Sequence, residues 1–277
     1  MSPSKIPLAG VIGSPVAHSR SPQLHGHWLK TYGIAGYYVP MDVAREDLEM
    51  VLRALPRMGF VGVNVTIPHK EAVLEIADLV TDRATLIGAA NTLIFRKDGK
   101  IHADNTDGYG FIENLKAGAP GWAARNGPAA VLGAGGAARA VVASLLDAGV
   151  PEIRISNRTR VRAEKLKSDF GSRLRIYDWV QAGNMVDGAA LLVNTTSLGM
   201  IGKGELRVPL DGLSAATVVT DLVYAPLKTN LLQTAEETGC TAVDGLGMLL
   251  HQAVPGFERW FGQRPEVDRA TRAAALR

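Results

Sequence analysis

Short apolar runs that alternate with helical segments constrain the fold of this chain more than any other feature of its sequence. Runs typical of buried strands occur at residues 8–12, 60–65 and 191–194, and segments with apolar residues at helical spacing occur at residues 137–148, 160–170 and 246–261. Buried strands alternating with helices predict parallel βαβ units, with helices on both faces of each sheet. A length of 277 residues suits two such α/β domains.

Several local signals predict where elements begin and end. Ser21-Pro22 predicts a helix with Ser21 as its N-cap, and Pro68 predicts the start of another helix. Asp98-Gly99 lies between two strand-like runs and predicts a β-hairpin. A loop rich in Gly, Pro and Ala at residues 117–128 is typical of a domain boundary.

Composition excludes several classes of protein. The net charge is only +3, and Lys and Arg occur in scattered pairs rather than in clusters with aromatic residues, so we expect no nucleic-acid partner. Cys240 is the one cysteine, no His, Cys and carboxylate group has the spacing of a metal site, and no apolar run approaches the length of a membrane span. We therefore expect a cytoplasmic protein without a metal, a disulfide or a membrane anchor.

A glycine-rich turn in the second half has the sequence of a dinucleotide site. Gly133-Ala134-Gly135-Gly136-Ala137-Ala138 follows a predicted strand and opens a predicted helix, and it matches G-x-G-x-x-A. Such a turn lets the backbone approach a pyrophosphate, whose charge the helix N-terminus stabilises. The alternative is a flexible Ala/Gly connection.

The residues after the next strand indicate which cofactor the turn would bind. An NAD site places Asp or Glu there, to bind the ribose 2′-OH. Here the strand is followed by Asn157-Arg158-Thr159-Arg160-Val161-Arg162, which has no acid and three arginines. A guanidinium can bind the 2′-phosphate of NADP with two parallel hydrogen bonds, so we expect NADP rather than NAD. The alternative is a solvated helix start.

Three polar clusters in the first half lie where strands are predicted to end. They are Asn64-Val65-Thr66-Ile67-Pro68-His69-Lys70, Asn91-Thr92 and Asp104-Asn105-Thr106-Asp107. In α/β folds ligands bind beyond the carboxyl ends of strands, so the clusters could form one pocket. A Lys and Asp pair can position a hydroxyl and move its proton during hydride transfer to or from NADP. Taken singly, each residue also fits a structural role as turn former, N-cap or solvated side chain.

Ser19 and Ser21 place two hydroxyls at a predicted helix start, an arrangement that suits a carboxylate ligand. A simple helix cap at Ser21 with Ser19 in the preceding loop explains the same residues equally well. The segment alone leaves both interpretations open.

Taken together, these motifs resemble the shikimate dehydrogenase family over almost the whole chain. The resemblance also includes Asn194-Thr195-Thr196-Ser197-Leu198-Gly199-Met200 and Asp244-Gly245-Leu246-Gly247-Met248, followed by Gln252. It implies reversible NADPH-dependent reduction of 3-dehydroshikimate to shikimate, a step in aromatic amino-acid biosynthesis. It implies a substrate-binding and catalytic domain at residues 1–108, completed by a returning C-terminal segment at 246–277, and a Rossmann-type NADP-binding domain at 109–245.

The resemblance also implies site residues. Lys70 and Asp107 match the catalytic pair. The implied substrate residues are Ser19, Ser21, Thr66, Lys70, Asn91, Asp107, Tyr224 and Gln252. The implied cofactor residues are Gly133, Gly135, Gly136, Ala137, Asn157, Arg158, Thr159 and Arg162, with Thr195, Ser197, Met200, Val223 and Gly245 towards the nicotinamide.

Other functions stay open at this point. A dehydrogenase of quinate or a related cyclic polyol acid would share most of these motifs, and a non-catalytic NADP-binding sensor would share the glycine turn. A sensor would have no need of the Lys70 and Asp107 pair. The partner we expect is a small-molecule substrate, and a homodimer is left open.

Overall fold

A computed structural model describes residues 6–277; residues 1–5 of the predicted first domain lie outside the described residues. The chain divides into two units. One contains the described residues up to Thr106 together with Leu250–Arg277, and the other contains Asp107–Leu249. The loop at 117–128 therefore lies inside the second unit, where Ala119 and Trp122 pack on its core, and the boundary predicted there is wrong.

The first unit is built on one six-stranded sheet with the order β2-β1-β3-β5-β6-β4. The β1 strand pairs in parallel with β2 and β3, whereas β5 pairs antiparallel with both β3 and β6. This sheet is mixed, so the prediction of parallel units throughout is wrong here. The strands are β1 (Leu8–Gly13), β2 (Tyr37–Asp42), β3 (Phe60–Val65), β4 (Leu79–Val80), β5 (Thr92–Phe95) and β6 (Ile101–Asp104).

The hairpin at Asp98-Gly99 explains why the sheet is mixed. It joins β5 directly to β6 and forces them to run antiparallel, and Gly99 takes the left-handed backbone (φ 83°) that the turn requires. The predicted hairpin is confirmed. Asp98 strengthens the turn by accepting a hydrogen bond from the backbone of Lys100.

Helices and the end of the chain cover the sheet of the first unit. The helices before residue 106 are α1 (Ser21–Thr31), α2 (Leu48–Ala54), α3 (Val73–Ile76) and α4 (Asp82–Ile87), with 3₁₀ turns at Arg45–Asp47 and Leu55–Met58. The buried side chains of Trp28 and Phe257 meet edge to face, with ring centroids 5.3 Å apart, and Trp28 Nε1 donates to Thr271 Oγ1. These contacts confirm that the C-terminal segment returns to the first unit.

The helix predicted at Ser21-Pro22 is confirmed as α1, whereas the helix start predicted at Pro68 and the N-cap role predicted for Ser21 are wrong. The segment from Pro68 forms turns, because the His69 amide bonds back to the Thr66 carbonyl, and helix α3 begins only at Val73. Ser21 is the first residue inside α1 and not its cap. Arg20 holds the N-cap position without a side-chain cap, and the Ser21 amide donates to the Ser19 hydroxyl in the preceding loop.

The second unit is a parallel sheet of six strands in the order β12-β11-β10-β7-β8-β9. Counted from its own first strand, this is the 3-2-1-4-5-6 order of the Rossmann fold. The strands are β7 (Ala129–Leu132), β8 (Ile153–Ser156), β9 (Leu174–Tyr177), β10 (Leu191–Asn194), β11 (Val218–Asp221) and β12 (Thr241–Val243). The predicted α/β class with a Rossmann-type domain is confirmed.

Both faces of this sheet are buried, as the continuous apolar strands predict. Ala129 and Val131 of β7 belong to one hydrophobic cluster, whereas Ala130 and Leu132 belong to another. Successive side chains of a strand point to opposite faces, so the two clusters are the two layers beneath the helices. The remaining helices are α5 (Asp107–Gly118), α6 (Gly136–Asp147), α7 (Arg160–Phe170), α8 (Asn230–Glu237), α9 (Leu246–Phe261) and α10 (Arg269–Ala275), with 3₁₀ turns at Ala124–Asn126 and Trp179–Met185.

Within residues 6–277, every helix is too short or too polar to cross a bilayer. Over the same residues, no group of three His, Cys, Asp or Glu side chains could hold a metal ion.

Candidate active site

Helix α1 presents one end of the candidate substrate site in the first unit. Ser19 is half-buried and Ser21 is buried. Burial raises the pKa of Tyr38, and a hydrogen bond with the Ser21 side chain opposes that rise. The phenol of Tyr38 is therefore a neutral group beside Ser21, a hydroxyl proposed to bind carboxylate.

Tyr38 joins Ser21 to the polar ends of β3 and β5. Its hydroxyl donates to Asn64 Oδ1 over 2.7 Å. Asn64 Nδ2 in turn donates to the Asn91 carbonyl at 3.0 Å and to Thr92 Oγ1 at 3.3 Å. The Asn64 amide is directed into the protein, so the alternative interpretation of Asn64 as a turn former is wrong: it connects strands.

Asn91 and Gln252 lie in contact, although 161 positions separate them in the sequence. Asn91 Nδ2 donates to Gln252 Oε1 over 3.0 Å, and Asn91 Oδ1 accepts from the Thr106 amide over 2.9 Å. Thr106 Oγ1 donates to the Gln252 carbonyl over 2.9 Å. Gln252 of helix α9 is thus joined to Asn91 before β5 and to Thr106 after β6, and the resemblance assigns Asn91 and Gln252 to the substrate.

Lys70 lies in the turn after β3, with a half-buried side chain. Its carbonyl accepts from the Ala90 amide over 2.8 Å, which places its backbone next to Asn91. The preceding His69 is buried, and its Nε2 donates to the Val43 carbonyl over 2.8 Å. These bonds anchor the turn on both sides of Lys70. Thr66, at the start of the same turn, is half-buried.

A buried carboxylate supports the end of β6. Asp104 accepts from Arg83 and from Arg259, which lies in α9, and its Oδ1 also accepts from Thr81 Oγ1 over 2.9 Å. Burial favours the neutral acid, but the hydrogen bonds and charge of these partners outweigh burial and lower the pKa of Asp104 to about 2. Asp104 Oδ1 also accepts from the Asn105 amide. Asp104 and its two arginines therefore fix the segment that leads to Asp107.

Asp107 is the first residue of α5 and belongs to the second unit, whereas Lys70 belongs to the first. Both side chains are half-buried. Their action as a catalytic pair stays a prediction. Tyr224, also assigned to the substrate, is half-buried in the loop after β11 of the second unit.

The glycine turn of the second unit connects β7 to α6. Gly133 has φ 110°, and a Cβ there would lie 2.5 Å from Thr195 Oγ1, so only glycine fits. At Gly135 and Gly136 a Cβ would meet nothing within 4 Å, and both residues and Ala137 are exposed at the helix start. The space beside Gly135 and Gly136 lets a pyrophosphate approach the backbone at the start of α6, so the residues fit a dinucleotide.

The three arginines after β8 differ in whether they form ion pairs. Arg160 forms ion pairs with Glu164 and Asp178. Arg158 and Arg162 are exposed, and in the described part of the chain neither forms an ion pair. The two predicted cofactor arginines are therefore the ones whose charge is available to a phosphate. Exposed Thr159 lies between them in the sequence, and its carbonyl accepts from Asn157 Nδ2 over 2.8 Å.

The loops after β10 and β11 carry the residues assigned to the nicotinamide end. Ser197 and Met200 are exposed, Thr195 is half-buried with its hydroxyl donating to the Leu132 carbonyl over 2.7 Å, and Val223 is buried. Gly245 is a close-packing position, because a Cβ there would lie 2.4 Å from the Leu222 carbonyl oxygen.

Sequence reasoning missed two residues and one role that organise these loops and strands. Tyr38 and Asp221 are buried polar side chains at strands, and each bonds to a partner far away in the sequence. Asp104 was named only as part of a polar cluster, and its bond to Arg259 was missed. The signal available was a polar residue at a strand position where the other residues are apolar. The hydrogen-bond partner of each such residue could not be predicted from the spacing of residues in the sequence.

The second unit, with its strand order and open glycine turn, defines a dinucleotide-binding protein of the Rossmann class. Family models described as the shikimate dehydrogenase substrate binding domain, shikimate / quinate 5-dehydrogenase and the shikimate 5′-dehydrogenase C-terminal domain match residues 11–93, 123–204 and 245–275. The chain belongs to the shikimate dehydrogenase family, which confirms the resemblance seen in the sequence.

Relatives and solved structures match the chain over its length. A protein of Roseobacter denitrificans named shikimate dehydrogenase (NADP(+)) is 70% identical over 276 residues, covering 100% of both chains. A Thermus thermophilus shikimate 5-dehydrogenase in complex with NADP(H) and shikimate is 39% identical with a TM-score of 0.86, covering 98% of each chain. A Corynebacterium glutamicum quinate dehydrogenase in complex with NAD is 31% identical with a TM-score of 0.91, covering 98% of this chain and 99% of that one.

Proposed function

We propose that this chain is an NADP-dependent oxidoreductase that reduces 3-dehydroshikimate to shikimate and runs the reverse reaction with NADP⁺. The observation that carries the proposal is 70% identity over the full length to a relative named shikimate dehydrogenase (NADP(+)). Full coverage matters because the candidate site draws on the beginning, the middle and the end of the chain.

The cofactor assignment is supported by charge at the start of α7. Asn157 stands where an NAD site would place an acid, and the exposed Arg158 and Arg162 follow it. When NADPH is bound, it supplies the hydride that reaches the substrate carbonyl carbon. The backbone at Gly135 and Gly136 binds its pyrophosphate, and the two arginines bind its 2′-phosphate.

The chain's own residues supply the proton and hold the substrate. Lys70 and Asp107 bind the substrate oxygen and move its proton, so that a carbonyl oxygen gaining the proton becomes the hydroxyl of shikimate. Ser19 and Ser21 bind the carboxylate, while Thr66, Asn91, Tyr224 and Gln252 bind the remaining polar groups. The contact between Asn91 and Gln252 supports their joint role, because each amide fixes the orientation of the other.

Quinate is a second candidate substrate, because a quinate dehydrogenase with NAD has a closely similar fold. Asn157 and Arg158 argue against NAD in this chain. One assay decides between the two: the absorbance of NADPH is followed with the purified chain, pairing shikimate or quinate with NADP⁺ or NAD⁺. We expect the fastest rate with shikimate and NADP⁺.

No NADPH signal with shikimate and NADP⁺ would contradict the proposal. Binding of NADP⁺ without turnover of either acid would instead support the sensor. The homodimer and the cytoplasmic location are carried forward as predictions, which sedimentation of the purified chain and fractionation of its source cells would measure.

A further inference from the structure

Asp221 is a buried carboxylate at the end of β11 that no cation neutralises within the described residues. Its Oδ1 accepts from Asn194 Nδ2 over 2.9 Å and from the Val223 amide over 3.0 Å. Its Oδ2 accepts from Thr229 Oγ1 over 2.7 Å. Burial raises the pKa of Asp221, and these hydrogen bonds oppose the rise. Each partner donates, so the geometry fits the ionised form.

Asn194, at the end of the neighbouring strand β10, has a fully used side-chain amide. Nδ2 donates to Asp221 Oδ1 and, over 3.1 Å, to the Leu198 carbonyl. Oδ1 accepts from the amide and the hydroxyl of Thr196, over 3.0 Å and 2.8 Å. A side-chain amide offers two donors and two acceptor sites, and all are engaged here. Its orientation is therefore fixed, and it has nothing left with which to bind a ligand.

The bonds of the Asn194 side chain with Thr196 and Leu198 determine the conformation of the loop after β10. Thr196 Oγ1 also accepts from the Leu198 amide over 3.0 Å, so the chain turns tightly around the Asn194 amide. Ser197, at the top of this turn, is exposed. The loop after β11 is held at the same point, because Asp221 accepts from the Val223 amide.

We propose that Asp221 and Asn194 are positioning residues that hold the two nicotinamide-side loops in register with each other. The inference rests on the proposed function and on the family resemblance, which assigns Thr195, Ser197, Met200 and Val223 to that end of the cofactor. It adds that the placement of Ser197, Met200 and Val223 depends on the side-chain hydrogen bond from Asn194 to Asp221, which supplements the backbone pairing of β10 with β11.

Asn194→Asp is the most direct test. The new oxygen would face Asp221 Oδ1 and the Leu198 carbonyl, so two hydrogen bonds are lost and two carboxylates are opposed. Asp221→Asn is the matched control. Its amide oxygen can take the Oδ1 position and keep both donors there, while its amide nitrogen faces the Thr229 hydroxyl, which can rotate to accept.

The readout separates the nicotinamide end from the adenine end. Calorimetry would measure Kd for NADP⁺ and for adenosine 2′,5′-bisphosphate, which carries the 2′-phosphate and lacks the nicotinamide. For Asn194→Asp we expect Kd for NADP⁺ to rise roughly 10- to 100-fold and Kd for the fragment to stay within about twofold. For Asp221→Asn we expect both values within about threefold of the original chain.

Two further variants guard against a fold defect. Thr196→Val removes the hydroxyl between Asn194 and Leu198, and we expect a selective rise in Kd for NADP⁺ of about 3- to 10-fold. The double variant Asn194→Asp with Asp221→Asn removes the opposed charges, so it should recover part of the loss.

Equal weakening of both ligands, no weakening of NADP⁺ in Asn194→Asp and Thr196→Val, or no recovery in the double variant would overturn the inference. An unaltered chain that fails to bind NADP⁺ would overturn the proposed function instead.

Discussion

Asp104 and Arg259 form an ion pair in which Arg259 Nη1 lies 2.9 Å from the fully buried carboxylate. The pair joins the end of β6 to helix α9 within the first unit, and Arg83 binds the same carboxylate from α4. A buried carboxylate must be paired with cationic side chains, because an unpaired buried charge is strongly unfavourable. The C-terminal helix is therefore held to the sheet by charge as well as by apolar packing.

We expect Asp104→Asn to lower the free energy of unfolding by about 2 kcal/mol, because charge-assisted hydrogen bonds to two arginines are lost. Urea unfolding followed by fluorescence measures the change. Arg96→Met is the matched control, since it breaks an exposed pair with Asp98 that water screens, and it should lower the free energy of unfolding clearly less than Asp104→Asn does. Equal losses in the two variants would contradict the buried pair's role.

His25 predicts a pH effect that can be isolated by substitution. Its ring is fully buried, stacks on Tyr38 with centroids 3.9 Å apart, and has no hydrogen-bond partner for either nitrogen within the described residues. Burial lowers the pKa of His25 from 6.5 to about 3. Between these values the unfolded chain binds a proton that the folded chain does not, so the folded state loses stability as the pH falls.

His25→Phe removes the imidazole that binds this proton in the unfolded chain, and it keeps an aromatic ring against Tyr38. Below pH ~6 we expect the free energy of unfolding of the variant to rise relative to that of the original chain by about 1.4 kcal/mol for each pH unit. Urea unfolding across that range measures the difference. Measurement at pH ~8 is the internal control, because the ring is neutral there in both states. A constant difference between the two chains at all pH values would exclude the buried neutral histidine.

Lys70→Ala tests the proposed proton transfer. We expect kcat to fall roughly 10²- to 10⁴-fold, since the group that helps to move the proton is removed. Kd for NADP⁺ should be unchanged, because the glycine turn lies in the other unit, and the melting temperature serves as the control for folding. Turnover close to that of the original chain would contradict the catalytic assignment.

Arg158→Ala tests the 2′-phosphate site. Losing a charged hydrogen-bond donor should raise KM for NADP⁺ roughly 10- to 100-fold and leave KM for NAD⁺ nearly unchanged. Arg160→Ala is the matched control two residues away, because Arg160 is already paired with Glu164 and Asp178. If the two variants raise KM for NADP⁺ equally, phosphate recognition does not depend on Arg158.

The second unit could be predicted closely from sequence because its signals are local. Continuous apolar runs give the strands, and the bounds expected for β10 and α7 are those observed. The helix predicted from Pro68 was wrong for a physical reason, since the turn is held by the bond from His69 to the distant Val43 carbonyl. Short elements such as β4, α4 and α10 carry too few residues to show a period.

The candidate site could be predicted only in part. Motif residues such as Asn91 and Gln252 were found, and the structure brings them together. Asp221 was not found, and Asp104 was found only as a member of a polar cluster, because their roles depend on partners 27 and 155 positions away. Likewise, the three arginines after β8 are equivalent by spacing, and the resemblance selects Arg158 and Arg162 without a physical reason. The folded neighbours Glu164 and Asp178, which pair with Arg160, supply that reason.

The first unit is closed by the last residues of the chain, which sets an order for its assembly during translation. Trp260 Nε1 donates to the Leu93 carbonyl over 3.1 Å, and Trp28 Nε1 reaches Thr271 near the end of the chain. A nascent chain still on the ribosome has all of Asp107–Leu249 available before these partners emerge. The residues up to Thr106 are thus made first, and their aromatic side chains lack the helix that covers them until residues 250–277 have emerged.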